Sequence, residues 1–131
     1  MNYYFRKANN IAVSAVLTMI LLSGCAHAGE VDSLLEKAKK EKKAVMLELG
    51  SVGCIPCEQM KPVMQQLKDN YKGKLEVLFV DVRVNKEAGR RFNVYGIPTQ
   101  VFLDGNGKEF SRHIGFFSYE EIRGVLKQIG L

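Results

Sequence analysis

The chain has 131 residues, 47% of them hydrophobic and 25% charged, with three cysteines, two histidines and no tryptophan. Its apolar content is too high for a disordered chain, its length suits one ordinary domain, and three cysteines are too few and of the wrong parity for a disulfide-stapled miniprotein. The formal charge of +5 argues little for a polyanionic partner, because Arg6 and Lys7 belong to a leader and the rest is only mildly basic.

The leader comes first along the chain. Arg6 and Lys7 precede Ile11 to Leu22, where only Ser14 and Thr18 are polar, and Ser23, Gly24 and Cys25 follow. A basic start, a short apolar run and a small-residue exit form an export signal. As a helix the run would span roughly 18 Å against a hydrocarbon core about 30 Å thick, so residues 1–24 read as a removable leader and not a permanent span. Leu22-Ser23-Gly24-Cys25 resembles the bacterial lipoprotein signal, in which the cysteine is lipidated and becomes the first residue. The resemblance implies an anchor at Cys25, and Ala26 behind it is similar to the outer-membrane sorting preference of Gram-negative cells. Cleavage after Ala26-His27-Ala28 is the alternative, and it would discard Cys25. Residues 25–30 are then a lipidated N-terminus with a short tether, and 31–131 the domain.

Helix and strand patterns alternate through that domain. Ser33-x-x-Glu36 predicts a capping box opening a helix to about Lys42, with Leu34, Leu35 and Ala38 inward. Lys37, Lys39, Lys40, Lys42 and Lys43 are interrupted by Glu36 and Glu41, which describes a solvated face and not a nucleic-acid patch. Ala44–Leu49 reads as a buried strand and Gly50–Gly53 as a loop. From Cys54, the spacing of Met60, Val63, Met64 and Leu67 predicts a helix to about Asn70. Leu75–Val82 is a strand, Lys86–Phe92 a short helix, and Tyr95-Gly96-Ile97-Pro98 breaks the pattern before strand Thr99–Leu103. Asp104-Gly105-Asn106-Gly107 turns the chain into strand Lys108–Ile114, and Ser118-x-x-Glu121 caps a last helix striped by Ile122, Val125, Leu126 and Ile129. The order αβαβαββα predicts an α/β domain: a central mixed sheet with helices on both faces, its first two strands parallel through a right-handed crossover.

Chemistry concentrates in Gly53-Cys54-Ile55-Pro56-Cys57. Two cysteines separated by two residues, at a helix start just after a buried strand, describe a dithiol redox site. Helix N–H groups and the dipole favour the Cys54 thiolate, making Cys54 the attacking sulfur; Cys57, one turn on and deeper, resolves the mixed disulfide. Pro56 suits the first turn, where its missing N–H costs nothing. A purely structural disulfide is the main alternative, although its loop is too small for much entropic stabilisation. Zinc needs about four ligands, which Cys54, Cys57, His27 and His113 do not convincingly supply, and Glu58 stands where covalent heme attachment needs His. No metal or cofactor is expected.

From Val31 to Leu131 the chain resembles the thioredoxin family. The resemblance rests on the cysteine pair, on Pro62 five positions after Cys57, and on Ile97-Pro98-Thr99. It implies a cis Pro98 beside the dithiol, with Ile97 pairing to an extended substrate segment and Thr99 and Gly115 helping to form the groove; a plain strand-entry proline is the alternative. It also implies that Glu48, six residues before Cys54, is a buried acid accepting the Cys57 proton, where the family normally has Asp; a solvated Glu48 is the alternative. Phe79 and Phe102 are expected in the core, His113 on a solvated strand face, and Asp81 as at most a minor proton relay. Tyr95, Phe116 and Phe117 either rim the groove or pack. Gly53 and Ile55 depart from the Trp before the pair and the Gly within it that the family normally carries, which alters the contact surface.

These readings give a monomeric, lipid-anchored thiol:disulfide oxidoreductase on the periplasmic side of a bacterial membrane. Ile97 before the proline resembles the reducing branch, so disulfides of exported proteins or apocytochromes are the expected substrates. A membrane thiol-transfer protein is the expected electron donor, since cytosolic reductants do not cross. An oxidant or isomerase, a client-binding module and a metal-handling protein are the alternatives.

Overall fold

The computed structural model describes residues 26–131. The leader 1–24 and the lipidation site Cys25 lie outside the described residues. Eight elements follow the expected order: α1 (Ala26–Lys40), β1 (Ala44–Gly50), α2 (Ile55–Asn70), β2 (Leu75–Asp81), α3 (Lys86–Arg91), β3 (Thr99–Leu103), β4 (Glu109–Ile114) and α4 (Tyr119–Leu126), with a closing 3-10 turn at Lys127–Ile129. The sheet runs β2-β1-β3-β4. β1 and β2 are parallel, and β3 is antiparallel to both β1 and β4. Among the described residues no helix is long and apolar enough to cross a membrane.

β1 and β3 are central and buried along their whole length, as near-continuous apolar runs require when helices cover both faces. Alternation divides their side chains. Met46 and Phe102 point to one face, where they pack with Met60, Met64 and Leu67 of α2 and Ile122 and Leu126 of α4. Val45, Leu47, Leu49, Val101 and Leu103 point to the other, against Ala38 of α1 and Ala88 of α3. The first face is the one that carries the chemistry.

α1 differs from its expected form. It begins at Ala26 and not Ser33, so it runs through the stretch read as a tether, and no capping box forms: Ser33 and Glu36 are exposed in mid-helix. Its inward stripe is Val31, Leu35 and Ala38, at helical spacing, while Leu34 is 39% exposed. Packing of the partly buried Val31 against the apolar cluster favours a helix that starts before Ser33, and no proline stops it. At α4 the expected box does form, with Ser118 Oγ accepting from Glu121 N and the Glu121 carboxylate from Ser118 N. The hairpin turn is held by Asp104, whose carboxylate accepts from Asn106 N and Lys108 N, both at 2.9 Å.

Candidate active site

The site lies at the C-terminal end of β1. Cys54 is the N-cap of α2, with Ile55 and Pro56 in the first turn. Cys54 and Cys57 form a disulfide with Cα atoms 5.2 Å apart. Cys54 is half-buried, Cys57 is buried, and Ile55 between them is 75% exposed. The N–H groups of Ile55 and Cys57 have no carbonyl within the helix to meet and Pro56 has none to offer, so the first turn has free donors, and in the disulfide form the Cys54 side chain makes no cap hydrogen bond to them. Gly53, at φ +79°, makes the left-handed turn that brings the chain into the helix. Pro62 lies inside α2, opposite the Glu58 carbonyl it cannot bond.

Cys57 sits over Gly50. A methyl group on Gly50 would lie 3.0 Å from Cys57 Sγ and 3.2 Å from the Phe79 ring. The missing side chain at position 50 is therefore the space the resolving sulfur occupies, a role that the loop-like pattern Gly50–Gly53 concealed. Phe79 corrects the expected core placement: it is 42% exposed, because β2 is an edge strand and the ring leans over Gly50 beside the dithiol. Phe102 is in the core as expected, and Phe117 packs there too, while Tyr95 and Phe116 are exposed.

Glu48 is fully buried, two residues before Gly50 on the same face. The solvated alternative is excluded. Gln100, opposite it in register on β3, donates from Nε2 to Glu48 Oε2 at 3.0 Å. Among the described residues no Lys, Arg or His pairs with this carboxyl group. Burial pushes its pKa up to about 7, and the Gln100 hydrogen bond pulls the other way.

Pro98 is buried and its bond to Ile97 is cis. Leu49 and Thr99 are the last pair of the β1–β3 register, and Gly50 and Pro98 each adjoin that pair at the same end of the sheet. Gly115 N donates to Pro98 O at 2.8 Å. Gly115 lies just past β4, not within it, at φ +101°. Ile97 is half-buried at this edge. Thr99 corrects the groove assignment: it is 1% exposed, on the sheet face away from the dithiol, and its hydroxyl donates to Gly96 O at 2.6 Å. Its side chain holds the loop before Pro98 and does not line an open groove. His113 also differs from expectation, being half-buried and stacked on Phe117 at 3.9 Å between centroids.

Asp81 ends β2 with its carboxylate accepting from Val52 N, Arg83 N and Val84 N, which hold it below the usual carboxyl range. It braces the loop that carries the dithiol. The sequence signal for Gln100 is a long polar side chain in a strand that is apolar from Val101 to Leu103, opposite an acid in the neighbouring strand. Among the described residues no group of three or more His, Cys, Asp or Glu is gathered as a metal site.

A family profile described as a thioredoxin-like domain matches residues 31–130. The chain belongs to the thioredoxin-like family. With its disulfide-forming pair spaced as in a thioredoxin active site, this thioredoxin-like protein is a thiol:disulfide oxidoreductase. A thioredoxin of Staphylococcus aureus is 28% identical over 89 residues, covering 68% of this chain and 85% of that protein. The germline-specific thioredoxin Deadhead of Drosophila melanogaster shares the fold at a TM-score of 0.69 and 24% identity, over 78% of this chain and 93% of that one. A thioredoxin-2 described as a component of the malaria parasite's protein secretion machinery aligns at a TM-score of 0.62 and 24% identity, over 66% of this chain and 82% of that one.

Proposed function

We propose that this thioredoxin-like protein is a lipid-anchored, extracytoplasmic reductase of disulfides in exported proteins or apocytochromes. The observation that carries the direction of attack is the unequal burial of the pair: Cys54 is half-buried at the helix start, and Cys57 is buried over Gly50. In the reduced protein the Cys54 thiolate attacks one sulfur of a client disulfide, and the client's other sulfur leaves with the electron pair. Cys57 then loses its proton to Glu48, directly or through water, and attacks Cys54 Sγ. The second client thiolate leaves, and the Cys54–Cys57 disulfide described above is the product. Two electrons have passed to the client.

The groove for the client is formed by Gly53, Ile55 and Pro56 on one side and by Ile97, cis Pro98 and Gly115 on the other, where an extended segment pairs with the Ile97 backbone. Export and anchoring rest on the pattern of Arg6, Lys7, the apolar run and Cys25. The electron donor is then a membrane thiol-transfer protein that re-reduces the pair.

A Cys57→Ala variant tests the exchange mechanism. It is expected to accumulate disulfide-linked clients through Cys54; failure to recover any would favour a binding module. Equilibration with glutathione tests direction, since a strongly oxidising Cys54–Cys57 couple would overturn the reductase reading.

A further inference from the structure

Glu48 and Gln100 leave two buried oxygens, Glu48 Oε1 and Gln100 Oε1, with no hydrogen-bond partner among the described residues. The Gln100 amide nitrogen, by contrast, is fully used: it donates to Glu48 Oε2 at 3.0 Å and to Gly115 O at 3.1 Å. Gly115 N in turn donates to Pro98 O at 2.8 Å. A continuous chain of hydrogen bonds therefore runs from the buried acid to the groove wall.

We propose that Gln100 is the positioning residue for proton transfer, holding Glu48 ready to accept the Cys57 proton and tying that acid to the Pro98–Gly115 wall. The inference rests on the reading of Glu48 as the acceptor. Its chemistry follows from what an amide can do. While Glu48 is ionised, the Gln100 N–H supports the carboxylate. Once the proton has moved from Cys57 Sγ to Glu48, the new carboxylic O–H is a donor, and Gln100 Oε1 is a buried acceptor without one. The sulfur lone pair freed on Cys57 forms the bond to Cys54, and the client sulfur leaves with its electrons. A lysine at position 100 would favour only the ionised form and a leucine neither, so the neutral amide suits an acid that must change state during turnover.

Of the other ionisable groups on this face, Tyr71 and Tyr119 pack against the same cluster, and the Tyr119 hydroxyl accepts from Asn70 Nδ2. On α2 are the Cys54–Cys57 pair, and Glu58 and Lys61, which pair with each other. On β2, Asp81 is held by three loop N–H groups. On β4, His113 lies opposite Gln100 in register, with Nε2 at 3.2 Å from Phe116 O. On α4, Glu121 is engaged by Ser118. β3 contributes only Gln100 and Phe102 to this face.

The test uses single-turnover reaction of the reduced protein with oxidised glutathione. Acid quenching from pH 5 to 9 separates formation of the mixed disulfide on Cys54 from its resolution by Cys57. Gln100→Met keeps the bulk and removes the amide. It is expected to move the midpoint of the resolution profile about one unit alkaline and to slow resolution roughly fivefold at pH 7, a larger effect than on the Cys54 attack. Glu48→Gln is expected to remove the midpoint, which also assigns it to Glu48 and not to His113. A Gln100→Met profile that superimposes on the wild type, while Glu48→Gln is slow, would overturn the role of Gln100 and leave the acceptor reading standing. An unchanged profile in Glu48→Gln would overturn both. If Gln100→Met does not fold, NMR of the reduced wild type decides: the Gln100 side-chain amide and the Gly115 N–H are expected to titrate with the Glu48 carboxyl carbon, and separate midpoints would overturn the proposal.

Discussion

Glu48 is a carboxylic acid placed where an apolar residue would be the more stable choice, and its cost is readable in pH. Its ordinary value is 4.5 and burial raises it to about 7 in the folded chain. Between those values the unfolded chain has released this proton and the folded chain keeps it, so stability falls as pH rises through that window and levels off above it. The loss is on the order of 3 kcal/mol at about 1.4 kcal/mol per unit. Glu48→Gln is expected to stabilise the fold at pH 8 and to change it little at pH 4.5, measured by urea unfolding; curves for the two proteins that run parallel across pH would contradict this. Gly50→Ala is expected to cost about 1–3 kcal/mol and to slow disulfide closure, because the added methyl meets Cys57 Sγ at 3.0 Å. Stopped-flow thiol kinetics and thermal unfolding check both effects. The cysteines and Pro98 were legible as residues because their types and spacing are themselves the chemistry. Gly50, Gln100 and the misplaced Thr99 were not, since their roles depend on which sheet face a side chain takes and what lies across the register.

At the scale of elements, strands and caps were legible where local chemistry is decisive. Thr99–Leu103 matched in full, and the Ser118 box formed because the chain enters α4 from an extended backbone. Ser118→Ala is expected to cost about 1 kcal/mol, visible as a lower melting temperature. The same motif at Ser33 failed because a tertiary contact, Val31 in the apolar cluster, outweighed a local cap. The β3–β4 turn shows the reverse dependence. Gly105 is turn-forming by sequence, but only the structure shows that a methyl there would meet Lys42 O at 2.7 Å. Gly105→Ala is expected to destabilise the domain by about 1–3 kcal/mol, more than a loop substitution ordinarily does, and calorimetry measures it.

For the whole molecule, the parallel β1–β2 crossover and the closing hairpin place the dithiol, Glu48 and Pro98 at one end of the sheet. Sequence order sufficed for this, because alternating helix and strand patterns admit few topologies. Replacing residues 1–25 with a soluble export leader tests the anchored reading. Exchange with oxidised glutathione is expected to be unchanged in vitro, while the pair shifts toward its disulfide form in cells, as read by thiol trapping. An unchanged cellular redox state would argue against a donor at the membrane.

The early start of α1 has a consequence for how such a molecule meets its clients. α1 leads into β1 and lies antiparallel to it, and its fifteen residues rise about as far as seven extended ones, so Ala26 comes back to the dithiol end of the sheet. Glu30, Val31 and Leu34 indeed line one apolar cleft with Val52 and Phe79, next to the site. Were Cys25 anchored as proposed, a helix that begins at Ala26 would hold the dithiol end of the domain close to the bilayer. Encounters are then governed by how many clients occupy a patch of membrane and not by how many are dissolved around it, so turnover would scale with surface density and the working volume would be a thin film at the lipid headgroups.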